Sequence, residues 1–392
     1  VTASLTARVA VARRDDSVVV LNPGDSNPGV LTAHGRWPCW RPGGRYLAVS
    51  RVDRGTEAAG SSIVLFDTSG RELQTVFRSP PGVSPAIAPR VPHYLSWSPN
   101  GTTLSYVAMG HGGLTLYHKL LPGDEPAREV AVGAPLFSAW SPASRFQAIH
   151  AGSTMLVADA ANFGSPPVLS DNAVGFRAPA YSSDGTTLAY AARAGEGLDL
   201  LFAAPNGEGP RRVAHFSSGL VMAFRPGSTE LSVASASDPA GGVFDALWFI
   251  TEGGDRRRAY RGPFVTFSWS PDASRLAIVV PTQTGDGRYA VHALSPGGEF
   301  LAATEPVIPS EDLRMVFGFF DQYLQSHRLW APDGSGLLLA GRLPVDGVSA
   351  SFGDPLGPYV WLWPAERGTA LQCLCPGSSA FFASNTGDLA PE

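Results

Sequence analysis

Phe267-Ser-Trp-Ser-Pro-Asp-Ala-Ser-Arg-Leu-Ala-Ile-Val-Val280 reads as a short aromatic strand, a Ser-Pro-Asp turn and an apolar strand. Pro271 presets φ for the second position of a type I turn and does not fit inside a central strand, so the first strand stops at Trp269. Ser270 and Asp272 flank it with short polar side chains that bond nearby backbone in such a turn. The run 276–280 is apolar at every position, which suits a strand covered on both faces. A unit of this kind has no solvated face and needs neighbours stacked against it.

The phrase recurs along the chain. Its copies begin at Trp40-Arg-Pro-Gly-Gly, Trp97-Ser-Pro-Asn-Gly, Trp140-Ser-Pro-Ala-Ser, Tyr181-Ser-Ser-Asp-Gly, Phe224-Arg-Pro-Gly-Ser, Trp269-Ser-Pro-Asp and Trp330-Ala-Pro-Asp-Gly. The turn position falls at 42, 99, 142, 183, 226, 271 and 332, at intervals of 57, 43, 41, 43, 45 and 61. A period of roughly 40–45 residues is that of a four-stranded propeller blade. The two long intervals mark insertions.

The chain ends carry one more unit, split in two. Val9-Ala-Val-Ala-Arg13, Ser17-Val-Val-Val-Leu21 and Val30-Leu-Thr32 read as three strands whose innermost partner is missing. Phe382-Ala-Ser-Asn-Thr-Gly-Asp-Leu389 is a worn copy of the phrase, with Asn385 at the proline position. We therefore expect a C-terminal strand to complete the N-terminal blade, a closure that leaves no free sheet edge in the ring. The fold expected is an all-β, eight-bladed propeller, with seven blades as the alternative, built as a single domain over 1–392. Blades are expected at 36–78, 94–133, 136–170, 177–214 and 220–260, with a polar loop at 53–62 and a proline-rich connection at 78–93.

Trp-Ser-Pro-Asp-Gly followed by Leu-Ala resembles the repeat of TolB-like propellers, also called PD40 or WD40-like. The resemblance covers nearly the whole chain. It implies a propeller without the N-terminal α/β domain of TolB. It also implies one without a peptidase domain, since no Gly-x-Ser-x-Gly pentapeptide occurs. It favours a periplasmic or extracellular location. A chain starting at Val1 suits an exported form whose signal peptide has been removed, although a shortened chain would start in the same way.

Composition narrows the classes further. Charged residues make up 16%, Lys119 is the sole lysine, and the net charge of −5 disfavours a nucleic-acid or anionic-membrane binder. Arg256-Arg257-Arg258 with Arg261 is a local basic spot, read as a solvated loop between strands rather than a binding site. No apolar run reaches the ~18–20 residues of a membrane span. Cys39, Cys373 and Cys375 are read as packed thiols rather than a disulfide framework or metal site. The eight histidines are dispersed, without zinc-ligand spacing. No cofactor is expected. Met109-Gly-His-Gly-Gly113 is read as a hairpin turn, and no carboxylate pair of the glycosidase kind stands out.

The chain departs from its repeat between Pro306 and Trp330. Ser310-Glu-Asp-Leu313 reads as a helix start, with Ser310 as N-cap and acids in the first turn. Leu313, Val316, Phe317, Phe320 and Leu324 then recur at helical spacing, which predicts a short helix near 310–325 on the propeller rim. Gly318 weakens that pattern. The following tail combines aromatic and polar groups, and we take Phe319, Phe320, Asp321, Gln322, Tyr323, Ser326, His327 and Arg328 as the candidate partner-binding site. The competing reading is a helix plugging one end of the ring. Ser326 and His327, as adjacent strand residues, are expected to point to opposite faces. The function expected is a non-enzymatic scaffold or accessory subunit of a membrane-associated complex, with a protein partner. The alternatives are a carbohydrate hydrolase or lyase, or a small-ligand sensor, with its site at the propeller mouth.

Overall fold

The computed structural model describes residues 5–24, 29–32, 34–53, 60–79, 94–110, 112–162, 166–173, 177–237, 242–282, 287–343 and 357–384. Most of the proline-rich connection, the centre of the 53–62 loop, His111 and the end of the chain from Asn385 lie outside these residues.

The described residues form eight four-stranded antiparallel sheets arranged as propeller blades. Blades 2 to 8 follow one another at 36–78, 94–132, 136–170, 180–216, 220–264, 266–303 and 308–376. Blade 1 takes three strands from the N-terminus and its innermost strand, Ser379–Phe382, from the C-terminal region. That strand pairs antiparallel with Val9–Ala12, Val9 opposite Phe382 and Ala12 opposite Ser379. The expected closure is therefore present, and eight blades rather than seven complete the ring.

Blade 7 shows why the phrase folds as it does. Thr266–Trp269 pairs with Leu276–Pro281, Trp269 opposite Leu276. Between them Ala273 N–H donates to the Ser270 carbonyl, and Ser270 Oγ both donates to Asp272 Oδ1 at 2.5 Å and accepts from Arg275 N–H at 3.0 Å. The same hydroxyl bracket closes the turns at Ser98 and Ser182. The turn ends on a left-handed residue, glycine at 101, 185 and 334 but Ala273 here, at φ 55°. Leu276, Ile278 and their neighbours are buried on both faces, whereas the outer strand Phe300–Ala303 is largely exposed. Burial thus falls from axis to rim within each blade.

The tryptophans of the phrase join blade to blade. Trp140 Nε1 donates to Ser105 Oγ at 3.0 Å, Trp269 Nε1 to Ser232 Oγ at 2.8 Å and Trp330 Nε1 to Ser268 Oγ at 3.0 Å. Trp97 and Trp40 donate instead to the backbone carbonyls of Cys39 and Phe381. Each bond reaches the preceding blade and is worth about 1 kcal/mol beyond the burial of the ring.

All three cysteines are free, and Cys39 and Cys375 are buried, as packed thiols require. The arginines 256–258 lie not in a loop but on the exposed outer strand of blade 6, where pairing with 248–250 stacks them over Trp248 and Phe249. Charge on such an edge opposes pairing with another chain.

Candidate functional site

The expected helix forms, but not on the rim. Ile308 and Pro309 pair with Arg342 and Gly341 as the start of the innermost strand of blade 8. Ser310 N–H still donates to the Ala340 carbonyl, and Leu338 N–H to the Leu329 carbonyl. Everything between 310 and 329 is therefore inserted into the middle of one strand. A rim position would require the insertion to fall between blades. Interrupting an innermost strand instead delivers the segment to the axis of the ring.

The segment is two helices, α1 over Glu311–Gly318 and α2 over Phe320–Tyr323. Ser310 caps α1 by accepting from Leu313 N–H at 3.0 Å, as the sequence predicts. Leu313, Val316 and Phe317 face the core while Glu311 and Arg314 stay exposed. The helix breaks after Gly318, where Phe319 takes φ −126° and ψ 39°.

Inner strands from around the ring then hold the segment. Gln322 Oε1 accepts from Ser138 N–H at 2.8 Å and its Nε2 donates to the Ser138 carbonyl at 3.0 Å, a paired contact with blade 4. Tyr94 of blade 3 donates to the Gln322 carbonyl. Asp321 Oδ2 accepts from Ala178 N–H, at the start of blade 5, at 2.7 Å. Phe320 packs against Phe267 of blade 7, with ring centroids 5.2 Å apart, and Tyr323 against Trp37 of blade 2 at 5.1 Å. At the blade 1 side, Ser310 Oγ donates to the Ser378 carbonyl, and Ser378 Oγ donates to Asp312 Oδ2.

These contacts show where the eight candidate residues lie. Phe320, Asp321, Gln322, Tyr323 and His327 are buried, and Phe319 is half-buried beside Phe137. Burial pushes the Asp321 carboxyl up, an effect that the Arg177 guanidinium opposes. Ser326 and His327 do not point to opposite faces, because they lie in the turn after α2 and not in a strand. Ser326 Oγ and His327 Nδ1 are 2.6 Å apart. Burial among Tyr94, Tyr323 and Phe381 holds the imidazole down to about 3, and its Nε2 has no hydrogen-bond partner. A ring this weakly basic is neutral at pH 7.

Ser326 and Arg328 reach a different place, the end of the ring where the Ser-Pro turns lie. A concavity of about 220 Å³ there is lined by both, with Cys39, Trp97, Pro99 and Gln325. Beside it, a cleft of about 320 Å³ opens between α2 and the ends of blades 3 to 7. Trp97, Trp140, Tyr181, Phe224, Phe267 and Trp269 all line the cleft, with Ser183 and Pro226 at its edge. The sequence marks these aromatics as repeat positions. Nothing in a single repeat signals that several of them share one mouth with the insertion. Among the described residues, no group of three or more His, Cys, Asp and Glu is placed to hold a metal ion.

No protein-family model matches the chain, and no curated relative matches it. Solved structures do. Dihydro-heme d1 dehydrogenase NirN is 13% identical, covers 98% of this chain and 76% of its own, and has a TM-score of 0.62. AztD from Citrobacter koseri is 14% identical over 96% of this chain and 95% of its own, with a TM-score of 0.54. TolB from Acinetobacter baumannii is 14% identical over 82% and 77%, with a TM-score of 0.40. The fold is a β-propeller. At these identities the likeness extends to the fold alone, and NirN is described as a dehydrogenase, so a propeller of this shape decides neither for nor against catalysis.

Proposed function

We propose that this TolB-like propeller is a non-enzymatic, exported protein that binds a protein partner, as a scaffold or as an accessory subunit of a membrane-associated complex. One observation carries the reading: residues 310–328 fill the axis of the ring with the chain's own side chains. A glycoside hydrolase acting on the axis needs an open channel with paired carboxylates. Here Asp321 of the segment is buried and bonded to backbone, while Glu311 and Asp312 lie at the opposite mouth among arginines.

Recognition then falls to the ends of the ring. The surface we assign is the aromatic cleft at the Ser-Pro end, where Gln325, Ser326 and Arg328 come to the surface and Phe319, Phe320, Asp321, Gln322, Tyr323 and His327 hold them from behind. Aromatic residues with a polar rim are the usual composition of a protein-binding centre. Export rests on the resemblance to TolB-like proteins. Among the described residues no helix is long and apolar enough to cross a membrane, so membrane association is assigned to the partner.

The test is crosslinking in the native source, comparing the natural chain with Ser183→Arg, which fills the cleft from an exposed turn position. One partner is expected to crosslink to the natural chain and to be lost from the variant, with an unchanged unfolding midpoint. A chain recovered alone in both cases overturns the reading.

A further inference from the structure

The opposite mouth of the ring is electrostatically different. Innermost strands begin at this end, and the cavity there, about 420 Å³, is lined by Arg14, Arg36, Arg314 and Arg342. Four separate elements supply them: the first turn of blade 1, the first residue of blade 2, helix α1 and the end of a strand in blade 8. Glu311 and Asp312 are the carboxylates of the lining, and Asp16 stands 2.7 Å from Arg36, so the four arginines still outnumber the carboxylates around them. The whole chain carries −5, which makes this a local reversal of sign.

The bonds already made sharpen the point. Arg36 is committed, its Nε 2.7 Å from Asp16 Oδ1 and its Nη1 3.9 Å from Asp312 Oδ1. Asp312 is also held by Ser378 Oγ at 2.5 Å. Among the described residues the side chains of Arg314 and Arg342 have no ion pair or hydrogen-bond partner, and both residues are exposed in the cavity. A guanidinium fork matches carboxylate and phosphate oxygens two at a time. Two such forks facing one concavity, where low-dielectric walls focus the field, suit a ligand with two negative charges. A cavity of this size admits a metabolite rather than a folded domain.

We infer that this mouth binds a small dianion, through its carboxylates or a phosphate, with Arg314 and Arg342 as the principal ligating groups. Because Arg314 belongs to the axial segment and Arg342 to blade 8, the bound anion ties the segment to the ring. The exposed Glu311 then faces the ligand's hydroxyl or amine donors. The site is independent of the cleft at the other end and does not require a protein partner.

Thermal unfolding and calorimetric titration with inorganic phosphate, and separately with succinate, test this against sodium chloride at matched ionic strength. A saturable rise in midpoint with at least one dianion is expected, and none with chloride. Response to phosphate alone assigns a phosphate ligand, and response to succinate alone a dicarboxylate. The double variant Arg314→Gln, Arg342→Gln is expected to weaken binding tenfold or more. The pair Arg256→Gln, Arg258→Gln, on the outer strand of blade 6, is expected to leave it unchanged. No saturable response to either dianion, or equal affinity in the natural chain and the Arg314, Arg342 variant, overturns the inference.

Discussion

His327 is a base whose burial disfavours its protonated form. Its ring is 1% exposed, packed edge-on to Phe381 at 4.7 Å, and burial lowers its pKa from 6.5 to about 3. His118 is held down to about 4 in the same way, opposed by its bond to Gln147. Well above pH 6.5 both groups are neutral whether the chain is folded or not, and protonation adds nothing to the cost of burying them. As pH falls below 6.5 the unfolded chain takes up protons that the folded chain refuses, so stability declines towards the folded-state values. The loss is about 1.4 kcal/mol per pH unit for each group. Denaturant midpoints measured from pH 7 to pH 4.5 are expected to fall, and to fall less steeply in His327→Phe. An identical slope in that variant would mean that the imidazole is solvated. At this scale the sequence is legible where chemistry is local. Ser310 as a cap and Ser270 and Asp272 as turn formers follow from neighbours within five residues. The contact between Ser326 and His327 was not legible, because it depends on α2 ending in a turn.

The axial segment is the element that distinguishes this ring. Its helical period and its N-cap can be read directly, and Gly318 does mark the break between α1 and α2. Its destination cannot. Val307-Ile308-Pro309 and Leu329-Trp330 are two halves of one strand, separated by the insertion, and the sequence offers only their apolar character as a hint. Strand pairing decides the matter, since Gly341 and Leu337 accept the two halves in one register. Gly341 also needs to lack a side chain, because a Cβ there would lie 2.3 Å from the Ile308 carbonyl. Once on the axis, the segment is fastened most tightly at Gln322. Gln322→Ala strips the Ser138 N–H and C=O of their side-chain partner in a buried place. We predict a loss of about 2–4 kcal/mol in urea denaturation. A loss below about 0.5 kcal/mol would show that Ser138 does not depend on this contact.

Across the whole molecule, the repeat dictates blades, and the blades dictate a ring only if its ends meet. Val9–Ala12 and Ser379–Phe382 meet in blade 1, and Phe381 there packs on His327 of the axial segment. Closure and filling of the axis are therefore parts of one core, running from the latch strand through the insertion to the inner strands of blades 2 to 7. Blade count and closure were legible because each rests on a repeated phrase. Both mouths were not, since Trp97, Trp140 and Trp269, or Arg14, Arg36, Arg314 and Arg342, become neighbours only when the ring is drawn shut. Amide hydrogen exchange over residues 319–327 tests the filled axis most directly. Within this stretch the amides of the buried Gln322, Tyr323 and His327, bonded in and just after α2, are expected to exchange as slowly as the inner strand Leu276–Pro281 of blade 7. Exchange as fast as that of the exposed outer strand Phe300–Ala303 would mean that the segment lies outside the ring.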